Sequence, residues 1–277
     1  MYKYIDCHSH PYGEFYKERG IDVDQVLEDL KKDDGATIAI GTDYENSKKA
    51  IEVALKHDNV WATIGIHPAD NHAEIYDEQK FEELLRLGAG KVVGIGECGL
   101  DYYYFNADTD VEEQKARQKK VFISQIEFAI KNDLPLVIHG RPTKNSMDAY
   151  RDVLDILESY KAKGAGGARP FTGHAHFFVG NLEIAKRFLD LGFLMSFDGP
   201  ITFTTEYDEV IKFLPIESIM IETDSPYAAP KRFRGQTNYP IYVKEVAQKI
   251  AELKNLTLDE VLEKTMTNSI NLFRLSF

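Results

Sequence analysis

Along the chain, short apolar runs rich in β-branched residues alternate with longer segments whose apolar positions recur every three to four residues. The short runs fall at 2–7, 36–40, 60–66, 92–97, 134–138, 171–176, 192–197 and 218–222, which makes eight candidate strands. Between them lie helix-period segments at 23–32, 45–58, 77–87, 111–132, 147–161, 182–190 and 208–213, and two more, 241–253 and 258–273, close the chain. Several are preceded by Asp, Asn, Ser or Thr, whose side chains can accept from first-turn amides. Runs such as Leu136-Val137-Ile138 are continuously apolar, as strands covered on both faces are. The alternation therefore predicts a parallel sheet wrapped by helices, and eight units fit a closed (β/α)8 TIM barrel better than an open sheet.

Composition narrows this picture without changing it. The 277 residues are 43% hydrophobic and 28% charged, as in a globular protein with a substantial core. No low-complexity tether or charge block marks a boundary, so residues 1–277 read as one domain; the Gly/Ala-rich stretch at 161–170 is a loop between helix and strand. The formal net charge of −12 argues against broad coating of a polyanion and leaves room for a local basic patch. Two cysteines, Cys7 and Cys98, cannot build a disulfide framework and read as reduced thiols. No run approaches 18 apolar residues, and the start MYKYIDCHSH lacks a signal peptide's apolar segment, so the expectation is a cytoplasmic protein with no membrane association and no obligate protein partner.

Chemistry enters with the polar residues at strand ends. His8 and His10 follow the first strand, Glu97 ends the fourth, His139 the fifth and His176 the sixth, and Asp224 follows the eighth. In a (β/α)8 barrel these ends converge on the face where catalytic groups gather. Taken singly, each has a plainer reading: a solvated or core histidine, a buried structural carboxylate, a turn aspartate. Together, four imidazoles and two carboxylates are a ligand set for divalent transition metals, and their number suits two ions sharing a carboxylate. His8 and His10 project to the same side by their period-two spacing. Glu97, in VVGIGECGLDYYY, is well placed to bridge, and Asp224, in IMIETDSPY, to take a proton as a water becomes hydroxide. His174 and His176 share a face, so spacing does not choose between them. His67, before Pro68, reads as substrate-facing, and Glu222 as a partner behind the ligands. His57 and His72 read as solvated. There is no GxSxG, P-loop, HExxH or paired CxxC.

The segments YIDCHSH, IGTDYENSKKAIEVALKHDNVWATIGIHP, VVGIGECGLDYYY, LPLVIHGR, HFFVG, IETDSPY and RGQTNYPIYVKEVAQKIAELKNLTLDEVLEKTMTNSINLF together resemble the TatD-type metal-dependent hydrolases, also called TatD-related deoxyribonucleases. The likeness runs along nearly the whole chain. It implies an amidohydrolase-type TIM barrel with two divalent ions that hydrolyses phosphodiester bonds in DNA. It also implies one metal site of His8, His10 and Asp224 and another of His139 and His176, with Glu97 bridging and Asp224 activating water. His176 heads the family's HCFxG-like motif as H-F-F-V-G, which selects it over His174. Three departures lie beside the active face: Val179 stands where the family has a small hydroxyl residue, 139–150 is longer than the usual entry, and 161–173 is extra sequence.

Three functions follow as expectations. The leading one is a DNA nuclease in which Arg141, Lys144, Lys231, Arg232 and Arg234, all after strands five and eight, hold phosphates; Arg141 and Arg234 are its principal candidates. The alternative keeps the ions but acts on a lactone, a cyclic amide or a small phosphoester. Dinuclear enzymes of that kind often bridge their ions with a carboxylated lysine on strand four, where this chain has Glu97 and carries Lys91 at the strand's start. The third is a metal-dependent binding module. Imidazole-rich ligands suit Zn or Mn, and phosphoryl transfer commonly uses Mg or Mn.

Overall fold

The computed structural model describes residues 2–69, 76–88, 90–103, 105, 110–164 and 171–276; His72 lies outside them. Eight parallel strands pair in chain order: β1 Tyr4–Ser9, β2 Gly35–Ile40, β3 Val60–Ile64, β4 Val92–Asp101, β5 Leu136–Arg141, β6 Gly173–Ala175, β7 Leu194–Phe197 and β8 Ile219–Ile221. A parallel bridge between Ser9 and Ser225 joins the last strand region to the first, so the sheet is a nearly closed barrel. Around it lie α1 Glu14–Glu18, α2 Val23–Lys32, α3 Tyr44–Lys56, α4 Glu78–Gly88, α5 Val111–Asn132, α6 Asp148–Ala162, α7 Leu182–Leu191, α8 Asp208–Phe213, α9 Val243–Lys254 and α10 Leu258–Phe273. The expected architecture is the one found. It differs in detail: β4 runs four residues past Glu97, β6 and β8 shrink to three residues each, and the short helix α1 follows β1.

Helix starts follow their capping residues. Asp22, Asp43, Asp110, Asn181 and Thr257 each accept from first-turn amides, and Thr257 forms a capping box with Glu260. One apolar cluster fills the layer between strands and helices. A second draws Ile5, Cys7, Ile38, Trp61, Val93, Val137 and Met220 from six strands and is closed by Leu272, Phe273 and Leu275 at the end of α10, which makes it the barrel interior.

Two irregularities position the upper face. The β1–β2 register slips between Asp6 and Ser9, and the β4–β5 register between Ile95 and Cys98, each by one extra residue. Bulges of this kind re-aim side chains, and these bracket His8 and Glu97. At the second, β3 runs so close that a Cβ on Gly65 would stand 2.3 Å from the carbonyl carbon of Gly96; only glycine lets the strands approach this way.

Closure of β1 on β8 rests on Asp6. Its buried carboxylate accepts from the Thr223 amide (2.8 Å) and hydroxyl (2.6 Å), residues 217 positions apart. Asp224 and His10 extend the seam, the Asp224 amide donating to the His8 carbonyl (2.9 Å) and the His10 amide to the Ser225 carbonyl (2.7 Å). Replacing Asp6 with Ala takes the acceptor from the Thr223 amide and hydroxyl and from the His8 amide (3.4 Å), and is expected to lower unfolding free energy by about 1–3 kcal/mol in denaturant melts; an unchanged midpoint would show that the seam holds without it.

Candidate metal centre

At the barrel mouth, the six strand-end residues meet around Glu97. Its Oε1 lies 2.8 Å from His139 Nδ1, 2.8 Å from His176 Nε2 and 3.4 Å from His67 Nε2. Its other oxygen faces His8 Nε2 at 3.5 Å. Asp224 Oδ1 stands 3.6 Å from His8 Nε2 and 3.3 Å from His10 Nε2. The donors fall into three groups whose atoms are mutually within 4.8 Å: His8, His10 and Asp224; His8, Glu97 and His176; His67, Glu97 and His139. The backbone at Asp224 is left-handed (φ 53°), which turns its carboxylate out of the strand line toward His8 and His10.

What lies behind each ring decides which nitrogen carries its proton. His10 Nδ1 is 3.2 Å from the Ile40 carbonyl, His139 Nε2 is 3.0 Å from Asp101 Oδ2, and His176 Nδ1 is 3.3 Å from Glu222 Oε1. Those oxygens only accept, so each ring carries a proton on its rear nitrogen; the forward nitrogens of His139 and His176 face Glu97 Oε1 at 2.8 Å and would turn a lone pair to the centre once a cation replaced their proton, as in metal-bound histidines. Neither nitrogen of buried His8 has a hydrogen-bond partner. Buried polar atoms are rarely left so; beside the carboxylates of Glu97 and Asp224, this one suits a cation. His67 is reversed: its Nδ1 accepts from the Ala69 amide (3.2 Å), so its proton sits on Nε2, facing inward.

Burial opposes the charge on Glu97, but the adjoining His176 and His67 and the hydrogen bonds from His139 and His176 hold its carboxyl well below the usual range. Burial also works against protonation of His139, which its bonds to Asp101 and Glu97 overcome to raise it. His8 moves down, through burial and the His176 ring stacked 3.8 Å away. The centre therefore packs imidazoles against carboxylates in a way that a dication would balance.

A cleft of ≈ 920 Å³ opens over this cluster. His67 and Arg141 line it, with Arg141 lying over the Tyr103 ring at 4.3 Å. Arg234 is not among the lining residues; it sits exposed over Phe203 at 4.6 Å. Lys144, Lys231 and Arg232 are likewise exposed and outside the lining. Lys49, unremarked in the sequence, supplies a second cation to the cleft wall. Asp101 was also missed, although a period-two reading onward from Glu97 places it on the same face. Glu222 lies beneath, accepting from Ser196 Oγ (2.6 Å) and the Phe177 amide (2.5 Å). His174 points into the barrel interior against Phe273, where burial lowers its pKa to about 3. The expectation of a solvated His57 is corrected: it is buried and bonded to Asp24 at 2.9 Å, because α2 packs over the end of α3.

An eight-stranded parallel barrel with such a donor cluster at its mouth defines a metal-dependent hydrolase. The family model described as TatD related DNase matches residues 5–274, and the chain belongs to that family. It is 37% identical over 276 residues to YabD of Bacillus subtilis, described as a metal-dependent hydrolase, with 98% of this chain and 99% of the relative covered. It is 34% identical over 275 residues to YcfH of Escherichia coli, described likewise, with 98% and 96% covered. Among solved structures, the TatD homolog YjjV of Escherichia coli matches with a TM-score of 0.82 at 26% identity over 99% of both chains.

The ring proton positions are open to test. Asp101→Asn, which can offer His139 an amide N–H instead of an acceptor, is expected to weaken metal binding roughly 10- to 100-fold in chelator competition, while Glu97→Ala and His10→Ala lose metal and activity together. Full metal content and activity in the Glu97 variant would remove it from the centre.

Proposed function

We propose that this protein cleaves phosphodiester bonds of DNA with two divalent ions, one held by His8, His10 and Asp224 and the other by His139 and His176, with Glu97 shared between them. The observation that carries the dinuclear reading is the position of Glu97, one oxygen toward His139 and His176 and the other toward His8. The TatD related DNase family supports the nucleic-acid substrate. When bound, such ions polarise a phosphate oxygen and ease deprotonation of a water. The chain's own groups do the rest. Asp224, its side chain 16% exposed at the cleft, is placed to accept the proton of the attacking water. His67 lines the cleft with an Nε2 proton, now facing Glu97 Oε1 at 3.4 Å, that a phosphate oxygen can accept instead, and Arg141 and Lys49 on the cleft wall hold neighbouring phosphates. Phe15 and Tyr227, edge to face at 5.7 Å, give the cleft an apolar wall against which a nucleobase can rest.

Labelled single- and double-stranded oligonucleotides incubated with Mg, Mn or Zn, against a panel of lactones and cyclic amides, separate this reading from an amidohydrolase. Arg141→Ala and Lys49→Ala are expected to lower kcat/KM on DNA with metal content intact, and unchanged values in both would refute phosphate holding. Asp224→Asn keeps part of the metal and loses most turnover. With only two cations engaged, log KM for single strands should rise with log salt at a slope of about 1.4; a slope several times larger would place the DNA on other surfaces.

A further inference from the structure

Two donor residues on the floor of the centre take no part in the chemistry above. Cys7 immediately precedes His8 and His174 lies two residues before His176, and both are fully buried. The Cys7 sulfur, a ring nitrogen of His174 and a carboxylate oxygen of Glu222 all lie within 4.8 Å of one another. The Cys7 thiol points at Glu222 Oε2 from 3.7 Å, and Ser196 Oγ sits 2.6 Å from that same oxygen. Neither nitrogen of His174 has a hydrogen-bond partner, and its ring meets Phe273 edge-on at 5.7 Å. A barrel interior otherwise filled by Ile5, Val137 and Met220 would be better served by an aliphatic side chain at 174 than by an imidazole with both nitrogens bare.

We propose that Cys7, His174 and Glu222 form a third cation site, for zinc or another thiophilic divalent ion, beneath the cleft centre. Thiolate, imidazole and carboxylate are all zinc donors, and bonds of about 2.0–2.3 Å in tetrahedral arrangement put donors roughly 3.3–3.8 Å apart, which the Cys7–Glu222 separation already meets. On binding, the Cys7 S–H bond breaks, the proton leaves to solvent and the sulfur binds the ion. One thiolate and one carboxylate then neutralise the dication, so the buried site carries no net charge. Ser196 donates to the ligating carboxylate and holds it in place. The two levels sort ions by donor type. The cleft offers only nitrogen and oxygen, whereas the floor offers sulfur, which soft and borderline ions prefer and magnesium does not. Glu222 joins the levels, since its other oxygen faces His176 Nδ1 at 3.3 Å.

The test is cobalt(II) titration of the full chain, read by bound equivalents and by the near-ultraviolet thiolate-to-cobalt charge-transfer band. Because the cleft holds no sulfur donor, the band reports the floor alone and is independent of substrate. The expected result is a third equivalent of cobalt that carries the band, retained in Cys98→Ala and lost in Cys7→Ala and His174→Val. A wild-type protein that takes up two equivalents without the band overturns the proposal, as does a band that vanishes in Cys98→Ala. Should the Cys7 variant fail to fold, the wild-type and Cys98→Ala spectra still decide between these outcomes.

Discussion

Everything at the mouth of this barrel depends on the clamp that Asp6 makes on Thr223 across 217 positions of chain. His8 and His10 ride on β1, Asp224 on the turn after β8, and three side chains share a space only if those two segments lie in register. β8 is three residues long and could not hold that register by ladder bonds alone. The clamp adds a carboxylate that satisfies an amide and a hydroxyl at once, and Asn238 secures the far side by donating to the Thr223 carbonyl at 2.8 Å. The site is thereby assembled from chain ends by buried polar contacts, which specify one arrangement more sharply than apolar packing can.

The fold was legible because its signal is repetitive: eight apolar runs alternating with capped helical segments leave few architectures to choose from. The cluster was legible for a related reason, since strand-end histidines and acids converge in any such barrel. The residues that escaped are those whose role depends on a bend or a neighbour. The bulge at Gly96–Glu97 lets β4 continue to Asp101, behind His139, and no local pattern announces that a strand will continue past its glutamate. Lys49 lies on α3, in a helix-period segment where a lysine reads as a solvated face, yet helix and cleft meet there. Arg234, chosen because it follows β8, sits instead over Phe203 outside the cleft lining, since sequence order after a strand says little about where a long loop travels.

The tautomers give the centre its division of labour. Three rings donate from their rear nitrogens to oxygens that can only accept; His67 instead accepts from the Ala69 amide on its rear nitrogen and so faces inward as a donor. A shared pocket in which four rings had the same polarity could hold cations or hydrogen-bond an anion, but not both. With His67 reversed, three rings would coordinate a bound cation while the fourth still donates, and the difference originates in a single backbone amide of the β3–α4 connection.

The same physical economy suits a glutamate to this position. A lysine can bridge only after carboxylation, and it must emerge at the mouth of β4. Lys91 stands at the opposite end of that strand, its ammonium donating to the carbonyls of His57 (3.0 Å) and Val60 (2.9 Å), where it fastens the base of the barrel. At the mouth, the bulge lets the Glu97 amide donate to the Gly41 carbonyl (2.7 Å) while Gly65 leaves room for the peptide. The carboxylate therefore arrives between the imidazoles already ionised and already oriented. A carboxylate at this position needs no added carbon dioxide, and backbone contacts just past β2 and β3 set where it sits.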